Sequence, residues 1–204
     1  IHKISQKNLP LTLIGAGLPQ LVGLAGRSKS YAERLFIFPQ LGPLTYDDTI
    51  IALKGPIENE GAKITDEALH EIYKQTLGYP YFIQEWGYQA WNLSGSDLID
   101  LSTAQLATAQ SISKLDESFF RVRFDRLTPS EKKYLRAMAE IGEGPHRSGD
   151  IAHVLNQSVQ TQAPVRSSLI KKGMIYSPAH GDTDFTVPLF HLFMKRVIPK
   201  LAVK

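Results

Sequence analysis

The stretch that decides the fold of this chain is Thr76-Leu77-Gly78-Tyr79-Pro80-Tyr81-Phe82-Ile83-Gln84. Glycine ends helices well because it adopts a left-handed backbone conformation without a steric cost. Proline is tolerated in the first turn of a helix, where its missing N–H would have had no partner within the helix. The sequence therefore predicts that one helix ends near Leu77 and that a second helix begins at about Tyr79.

Helical patterns continue on both sides of this turn, from about residue 45 to residue 115. Thr45 can cap a helix with acidic residues in its first turn, and Gly55-Pro56 is expected to end that helix. Thr65 opens the helix that leads into the turn, and a further helical region covers about residues 102–124. These segments predict a small helical bundle.

The helix after the turn is rich in aromatic residues. The aromatic residues in and around it are Tyr79, Tyr81, Phe82, Trp86, Tyr88 and Trp91. Their spacing is mostly that of a buried helix, so core packing is the predicted role of the group.

Two short apolar runs precede the helices and are predicted to be strands of a parallel sheet. The first is Leu11-Thr12-Leu13-Ile14, which ends at Gly15-Ala16-Gly17, and the second is Leu35-Phe36-Ile37-Phe38. Buried parallel strands have continuous hydrophobic sequences, and Leu18-Pro19 is suited to begin a helix between these two. A strand–helix–strand fragment needs further strands, which we expect outside this sequence.

The last part of the chain has a different order of elements. Thr128-Pro129-Ser130-Glu131 is a capping signal for one helix, and helices are predicted at 148–155 and 161–172. Two strand-like runs at 174–176 and 184–187 follow, and a final helix covers 188–201. This order of helix, helix, turn, helix and hairpin is that of a winged helix-turn-helix.

In this order, the segments resemble the C-terminal part of an archaeal or bacterial AAA+-like STAND ATPase. The resemblance rests on Leu9-Pro10-Leu11-Thr12-Leu13-Ile14-Gly15-Ala16-Gly17-Leu18-Pro19, on Gly78-Tyr79-Pro80-Tyr81-Phe82-Ile83-Gln84 and on the winged helix. It covers essentially the whole chain. It implies a fold that is mainly α with small β: a βαβ remnant of a nucleotide-binding domain at 1–44, a helical lid at 45–115 and a winged-helix domain at 116–204.

The resemblance also implies a nucleotide contact at the lid turn. Its residues would be Gly78, Tyr79, Pro80, Tyr81 and Gln84. Glycine lets the backbone come close to a ligand, proline offers a rigid apolar face, and a helix N-terminus supplies free N–H groups. The alternative interpretation is a plain junction between two helices. The strand that ends at Gly15 would correspond to the strand with the sensor-1 residue, but it carries no polar group at that end.

The sequence contains no Gly-x-x-x-x-Gly-Lys-Ser/Thr phosphate-binding loop. The chain also begins at Ile1 without a methionine, which favours a fragment of a longer protein. We therefore expect ATP and Mg²⁺ in a parent ATPase, and no cofactor and no catalysis for this chain alone.

The winged helix predicts a second binding surface. In DNA-binding members, the second helix of the motif enters the major groove, where Gln pairs with adenine, Arg with guanine and Lys with phosphate. The candidate DNA contacts are Thr161, Gln162, Arg166 and Lys171 on that helix, with Arg147 and His180 near the DNA backbone. The alternative is a winged helix that packs against a protein partner or against its own ATPase core.

Composition limits which functions and binding partners are plausible for the chain. Residues 1–115 carry nine Lys and Arg against eleven Asp and Glu, whereas residues 116–204 carry fourteen against nine, so a polyanion partner is expected in the second half. There are no cysteines and no long apolar run, which predicts no disulfides, no membrane partner and a cytoplasmic location. The six histidines lack metal-ligand spacing, so no metal site is expected. Three hypotheses remain open: a nucleotide-gated switch, a stand-alone winged-helix DNA-binding regulator, and a protein-interaction or autoinhibitory module.

Overall fold

The computed structural model describes Lys7 and residues 10–18, 36–95 and 97–201. This part of the chain is mainly helical with small sheets, which confirms the predicted fold class at that level. The chain divides into two compact units. The first is Gly42–Lys132 with Pro188–Pro199, and the second is Lys133–Val187 with the described residues of Ile1–Leu41 and Lys200–Lys204. The division into domains at 1–44, 45–115 and 116–204 stays a prediction.

Helices make up most of the described part of the chain, and short strands lie between them. The helices are α1 (Tyr46–Asn59), α2 (Asp66–Thr76), α3 (Pro80–Leu93), α4 (Leu101–Leu115), α5 (Arg121–Asp125), α6 (Pro129–Ile141), α7 (Ser148–Val154), α8 (Val159–Lys171) and α9 (Phe190–Val197). The strands are β1 (Lys63–Ile64), β2 (Leu98–Ile99), β3 (His146–Arg147), β4 (Ile175–Tyr176) and β5 (Asp182–Phe185).

Side-chain caps begin several helices of the first unit. The Thr45 hydroxyl accepts a hydrogen bond from the Asp48 amide at 3.2 Å, and Thr65 caps α2 in the same way, as predicted. Asp100 caps α4 by accepting from the Thr103 amide at 2.8 Å. That bond, together with hydrogen bonds from the Ser102 and Thr103 hydroxyls, lowers the pKa of the Asp100 carboxyl.

Helix α1 does not end at Gly55-Pro56, so that prediction was wrong. The helix continues through Pro56 to Asn59. The backbone angle of proline fits a helix, but the residue removes one hydrogen bond and its ring crowds the carbonyl one turn earlier. Ile57 is buried just after the proline, and we attribute the continuation of the helix to this packing.

The core of the first unit is formed by helices α2, α3 and α4. Its fully buried large side chains include Leu69, Ile72, Phe82, Ile83, Trp86, Ile99, Leu115 and Phe120. The indole N–H of Trp86 donates to the Thr108 hydroxyl at 2.9 Å, which satisfies the polar atom of this buried ring. Strands β1 and β2 form a short parallel pair, Lys63 with Leu98 and Ile64 with Ile99, that the sequence did not predict.

A π-helical turn, Asp116–Phe120, joins α4 to α5 without a break. Such a turn adds one residue to the helix and rotates the residues that follow it. Phe120 packs against Phe190 and Phe193 of α9, with ring centres 5.6 and 5.3 Å away. Two hydrogen bonds of 2.6 and 2.7 Å from the guanidinium of Arg196 to the carboxylate of Asp116 fix the same helix.

The second unit has the predicted order of helix, helix, turn, helix and hairpin. Helix α6 begins in the last residues of the first unit, and the predicted capping box is present there, because the Thr128 amide donates to the Glu131 carboxylate at 2.7 Å. The hairpin strands β4 and β5 pair antiparallel, and β3 adds to β5 to give the sheet order β3-β5-β4. Strand β5 begins at Asp182, two residues before the predicted start, and β3 was not predicted.

The two strands predicted near the N-terminus are absent from the described residues. Residues 11–14 and 36–38 lie in neither a helix nor a strand, and Ile37 is 94% exposed. A parallel strand needs a neighbour for its backbone hydrogen bonds, and no described strand pairs with either run. Leu35 and the predicted helix after Leu18 lie outside the described residues.

Candidate functional site

The turn between α2 and α3 has the predicted geometry. Leu77 and Gly78 both adopt left-handed backbone angles, with φ of 53° and 72°, and the Leu77 amide donates to the Tyr73 carbonyl at 2.8 Å. Tyr79 is extended and Pro80 is the first residue of α3. The prediction that one helix ends near Leu77 and another begins close to Tyr79 is therefore confirmed.

Gly78 is required by the chain's own backbone. Its carbonyl accepts a hydrogen bond from the Leu44 amide at 2.8 Å. A Cβ atom at Gly78 would lie 2.1 Å from the Leu44 carbonyl oxygen, far inside the contact distance of two such atoms. The close approach that glycine allows at this turn is thus made by Leu44, so the glycine alone does not indicate a nucleotide.

The other predicted nucleotide contacts differ in their exposure. Tyr79 is half-buried, whereas Pro80, Tyr81 and Gln84 are exposed. Pro80 has no N–H, and the Phe82 amide donates to the Tyr79 carbonyl at 2.9 Å. Among the described residues, the Tyr81 amide therefore has no acceptor, and it is the free N–H group that α3 offers at its first turn.

An aromatic stack with a cation lies beside this turn. The ring of Tyr81 stacks on Phe119 with centres 4.7 Å apart and planes at 21°. The guanidinium carbon of Arg123 lies 3.8 Å from the centre of the Phe119 ring, and its Nη1 donates to the Phe119 carbonyl at 2.8 Å. The start of α3 is thus connected through one ring to a positive charge. The sequence signal was the four-residue spacing of Phe119 and Arg123 on one helix.

The prediction of a buried aromatic helix was correct for only part of α3. Phe82 and Trp86 are buried, but Tyr81, Tyr88 and Trp91 are exposed, with Tyr88 at 64%. Residues three, four or seven positions apart share a face of a helix, so these three lie on the side opposite to the core. The sequence could not separate the two faces because both carry aromatic residues.

Arg166, predicted to read guanine, is bonded to the hairpin of its own unit. Its Nε donates to the Thr183 hydroxyl at 2.8 Å, and its Nη2 donates to the Ser177 hydroxyl and the Asp182 carbonyl at 2.9 and 2.8 Å. These bonds hold α8 to β5 and to the turn before it. The guanidinium predicted to contact DNA is thus also bonded within its own unit.

Gln162, predicted to read adenine, is only 9% exposed. Its side-chain amide donates to the Gln157 carbonyl oxygen in the turn before α8. Gln162 therefore lies on the inner side of the helix. Leu169, seven residues later, is also buried on that side.

The remaining four candidate DNA contacts are exposed. The Thr161 hydroxyl lies 2.9 Å from that of Ser158, the N-cap of α8. Lys171 lies at the last turn of the helix and His180 lies in the hairpin turn. The side chain of Arg147 is 81% exposed, with a distant 4.0 Å ion pair to Asp182. The DNA-binding role of the six candidate residues stays a prediction.

The basic residues of the second half are placed less favourably for binding a polyanion than the total charge of that half indicates. Residues 133–187 carry six Lys and Arg against five Asp and Glu. Residues 188–204 carry four Lys and Arg and no acidic residue, so most of the basic excess follows the hairpin. Among the described residues, no group of three His, Asp or Glu could hold a metal ion. No helix of the described part is long and apolar enough to span a membrane.

Comparison with known proteins gives a family match for part of the chain. Residues 117–194 match a domain of unknown function (DUF8462). No curated protein matches the sequence.

Several solved structures of RuvB from Thermotoga maritima are similar to the chain. A mutant RuvB is 18% identical over 75% of this chain and 50% of its own, with a TM-score of 0.36. The structure titled RuvB Holliday junction branch migration motor gives the same identity and score over 74% of this chain. The chain spans about half the length of these RuvB chains. A TM-score this low does not establish a common fold, so the resemblance to STAND ATPases stays a prediction.

Proposed function

We propose that this chain is the lid and winged-helix portion of an AAA+-type STAND ATPase, in which the turn at Gly78 contacts a nucleotide. The proposal rests on one observation: the first turn of α3 is exposed, and the backbone of the turn before it is held in place. The Leu44 amide bonds to Gly78, so the turn is held before any ligand arrives. Preorganisation of this kind lowers the entropy cost of binding.

The surface at this turn offers groups that suit a nucleotide. The exposed Pro80 and Tyr81 present apolar faces for a ribose or base, and the Gln84 amide can donate and accept hydrogen bonds. Arg123 places a positive charge against the Phe119 ring, and the Tyr81 ring stacks on that same ring. The phosphates and Mg²⁺ would be held by a phosphate-binding loop that these 204 residues do not contain. Catalysis therefore belongs to the parent ATPase, and the nucleotide state is the signal to which the winged helix responds.

The test is nucleotide binding to the full-length protein, measured with a fluorescent ATP analogue. Tyr81→Ala removes a stacking surface, and we expect the affinity to fall about tenfold, since base stacking on an aromatic ring contributes about 1–3 kcal/mol. Gln84→Ala is expected to weaken binding less. Tyr88→Ala is the matched control, because this exposed tyrosine lies two turns further along the same face. Equal affinities for all three variants, or no binding by the wild type, would refute the nucleotide contact.

The winged-helix part supports a second candidate function, contact with the DNA backbone. Four of the six predicted contacts are exposed, namely Thr161, Lys171, Arg147 and His180. The side chains of Arg166 and Gln162, which would read bases, are bonded within the unit. We therefore expect binding with little sequence preference, through phosphates. A protein partner on the same surface is the competing outcome.

Electrophoretic mobility shift at low salt tests this function. Arg147→Ala and Lys171→Ala should each weaken duplex binding and reduce the slope of log K against log salt by about one. Lys54→Ala is a suitable control, since this lysine, whose side chain is 42% exposed, lies on α1 of the other unit. The absence of any shift at low salt would exclude DNA and favour a protein partner.

A further inference from the structure

The second unit contains a cavity of about 150 Å³ beside α8. The residues that line it are Tyr134, Ser148, Val159, Gln162, Ala163 and Arg166. None of them is acidic, and Arg166 is the charged side chain among them. The cavity is large enough for several water molecules or one small ion, since a water needs about 10–15 Å³ measured in this way.

Arg166 brings a positive charge into this cavity, and no carboxylate of the described residues pairs with it. Its three bonded N–H groups donate to two hydroxyls and one carbonyl, all of them neutral. No carboxylate oxygen of the described residues lies within 4.0 Å of its guanidinium. A guanidinium has five N–H donors, so the two on Nη1 remain available. A half-buried charge without a counter-ion is costly, and an anion in the cavity would relieve that cost.

Tyr134 supplies a second donor on the cavity wall. Its side chain is 1% exposed, and its hydroxyl has no completed hydrogen bond to the residues that the structure describes. Burial raises the pKa of this hydroxyl, while the nearby Thr183 hydroxyl and the Arg166 charge oppose that rise. The tyrosine is therefore a neutral donor at ordinary pH. The Thr183 hydroxyl near Tyr134 already accepts from Arg166, so a ligand in the cavity would give the Tyr134 hydroxyl an acceptor of its own.

We propose that this cavity binds a small oxyanion of the phosphate type, held by the free Nη1 edge of Arg166 and by the hydroxyl of Tyr134. Both groups are donors, and the lining contributes no negative charge that would repel the ion. The Gln162 side chain, which also lines the cavity, is fixed by its bond to Gln157 and adds a polar wall. Arg166 thus serves two purposes, since it fastens the hairpin through one edge and presents the other edge to the ligand.

The phosphate group could come from two sources, a free inorganic ion or the backbone of DNA bound to the winged helix. The site itself does not depend on the nucleotide contact proposed for the lid turn. If DNA is the source, the site extends the proposed DNA function, because a phosphodiester would enter the cavity from the surface. Separate measurements with inorganic phosphate and with a short DNA duplex distinguish the two.

The test compares Tyr134→Phe with the wild-type chain by NMR titration and by thermal unfolding. Phenylalanine keeps the buried ring, so the variant should fold with a stability within about 1 kcal/mol of the wild type without phosphate. Inorganic phosphate should shift the Arg166 Nε–Hε resonance of the wild type. The variant should bind phosphate about tenfold more weakly, as expected for the loss of a hydrogen bond to a charged group.

Tyr176→Phe is the matched control, since this tyrosine lies in the same unit but does not line the cavity. Phosphate also stabilises proteins in general by its exclusion from their surface. This general effect is equal in all three proteins, so only the difference between Tyr134→Phe and the other two reports on the site.

Three outcomes decide the proposal. If inorganic phosphate shifts the Arg166 resonance, Tyr134→Phe weakens that response, and the duplex binds both proteins equally, the ligand is a free oxyanion. A duplex that binds the wild type more tightly than Tyr134→Phe, and that displaces phosphate, identifies a DNA phosphate. Equal responses of the wild type and Tyr134→Phe to both probes would overturn the site and leave a cavity that holds water.

Discussion

At the scale of single residues, the left-handed turn at Leu77 and Gly78 shows how the chain uses glycine. Gly78 meets two demands together, a positive φ of 72° and the contact with the Leu44 carbonyl. Gly61 meets only the first, because its φ is 83° and a Cβ atom there would have no neighbour within 4 Å. Comparing substitutions at the two positions therefore distinguishes the cost of the backbone angle from the cost of the clash with Leu44.

We predict that Gly78→Ala destabilises the first unit far more than Gly61→Ala does. The left-handed conformation costs a residue with a Cβ about 1–2 kcal/mol, which is the whole expected effect at Gly61. At Gly78 the clash with Leu44 adds to that cost, so we expect a total of about 3 kcal/mol or more. Urea unfolding at constant m-value measures both changes. Similar losses for the two variants would show that the Leu44 contact yields easily.

Single residues also show where the sequence was insufficient. The prediction of the turn at Gly78 succeeded because glycine and proline act through their own backbone. The bonds of Gln162 to Gln157 and of Arg166 to the hairpin could not be predicted, because they depend on tertiary contacts. A polar side chain on a helix has the same sequence signature whether it reads DNA or bonds to its own fold. The candidate site could thus be predicted as a list of residues but not as a surface.

At the scale of elements, the hairpin β4–β5 depends on α8 through Arg166. Two short strands have few ladder hydrogen bonds, and an isolated hairpin is only marginally stable. Three hydrogen bonds from the guanidinium reach Thr183, Ser177 and Asp182. The hairpin is therefore fastened at its turn by a side chain from another element.

We predict that Arg166→Met loosens the hairpin. Loss of the three bonds should cost about 2 kcal/mol or more, since hydrogen bonds from charged groups contribute about 1.5–3 kcal/mol. Amide hydrogen exchange should accelerate at Asp182 and Thr183 and change little in the first unit. Lys171→Met is the matched control on the same helix, because that side chain is exposed. Unchanged exchange in the Arg166 variant would contradict the role of this residue.

The elements themselves were largely predictable where local signals mark their ends. The caps at Thr45, Thr65 and Thr128 lie where their residue types predicted them. The π-helical turn at Asp116–Phe120 was not predicted, since no residue type marks an extra residue within a helix. The continuation of α1 past Pro56 was missed because the packing of Ile57 is a tertiary effect.

At the scale of the whole molecule, the chain returns to its first unit near its end. Helix α9 follows the hairpin in sequence, yet its aromatic residues pack on the π-helical turn and on α5. The ring of Phe193 lies 5.3 Å from Phe120 and 5.7 Å from Phe124. The sequence predicted a final helix here but not its packing partners, because sequence order carries no information on such long-range contacts.

We predict that Phe193→Ala destabilises the first unit by about 3–5 kcal/mol, as expected for a buried phenylalanine. Hydrogen exchange should rise in α4 and α5, whereas the amides of residues 133–187 should keep more of their protection. Leu192→Ala is the neighbouring control, since Leu192 is 42% exposed and its loss should cost about 0.5 kcal/mol or less. Equal loss of protection in both units would show that they unfold as one.

The indole of Trp86, bonded to Thr108 in the core of the first unit, has a practical consequence. The chain contains two tryptophans, and the other, Trp91, lies exposed on the same helix. Intrinsic fluorescence excited in the tryptophan band therefore reports on the first unit and does not report directly on residues 133–187. One indole is shielded from solvent and the other is open to it. Quenching by iodide can thus follow events at the surface of α3 while the spectrum of the shielded indole records whether the core beneath it stays intact.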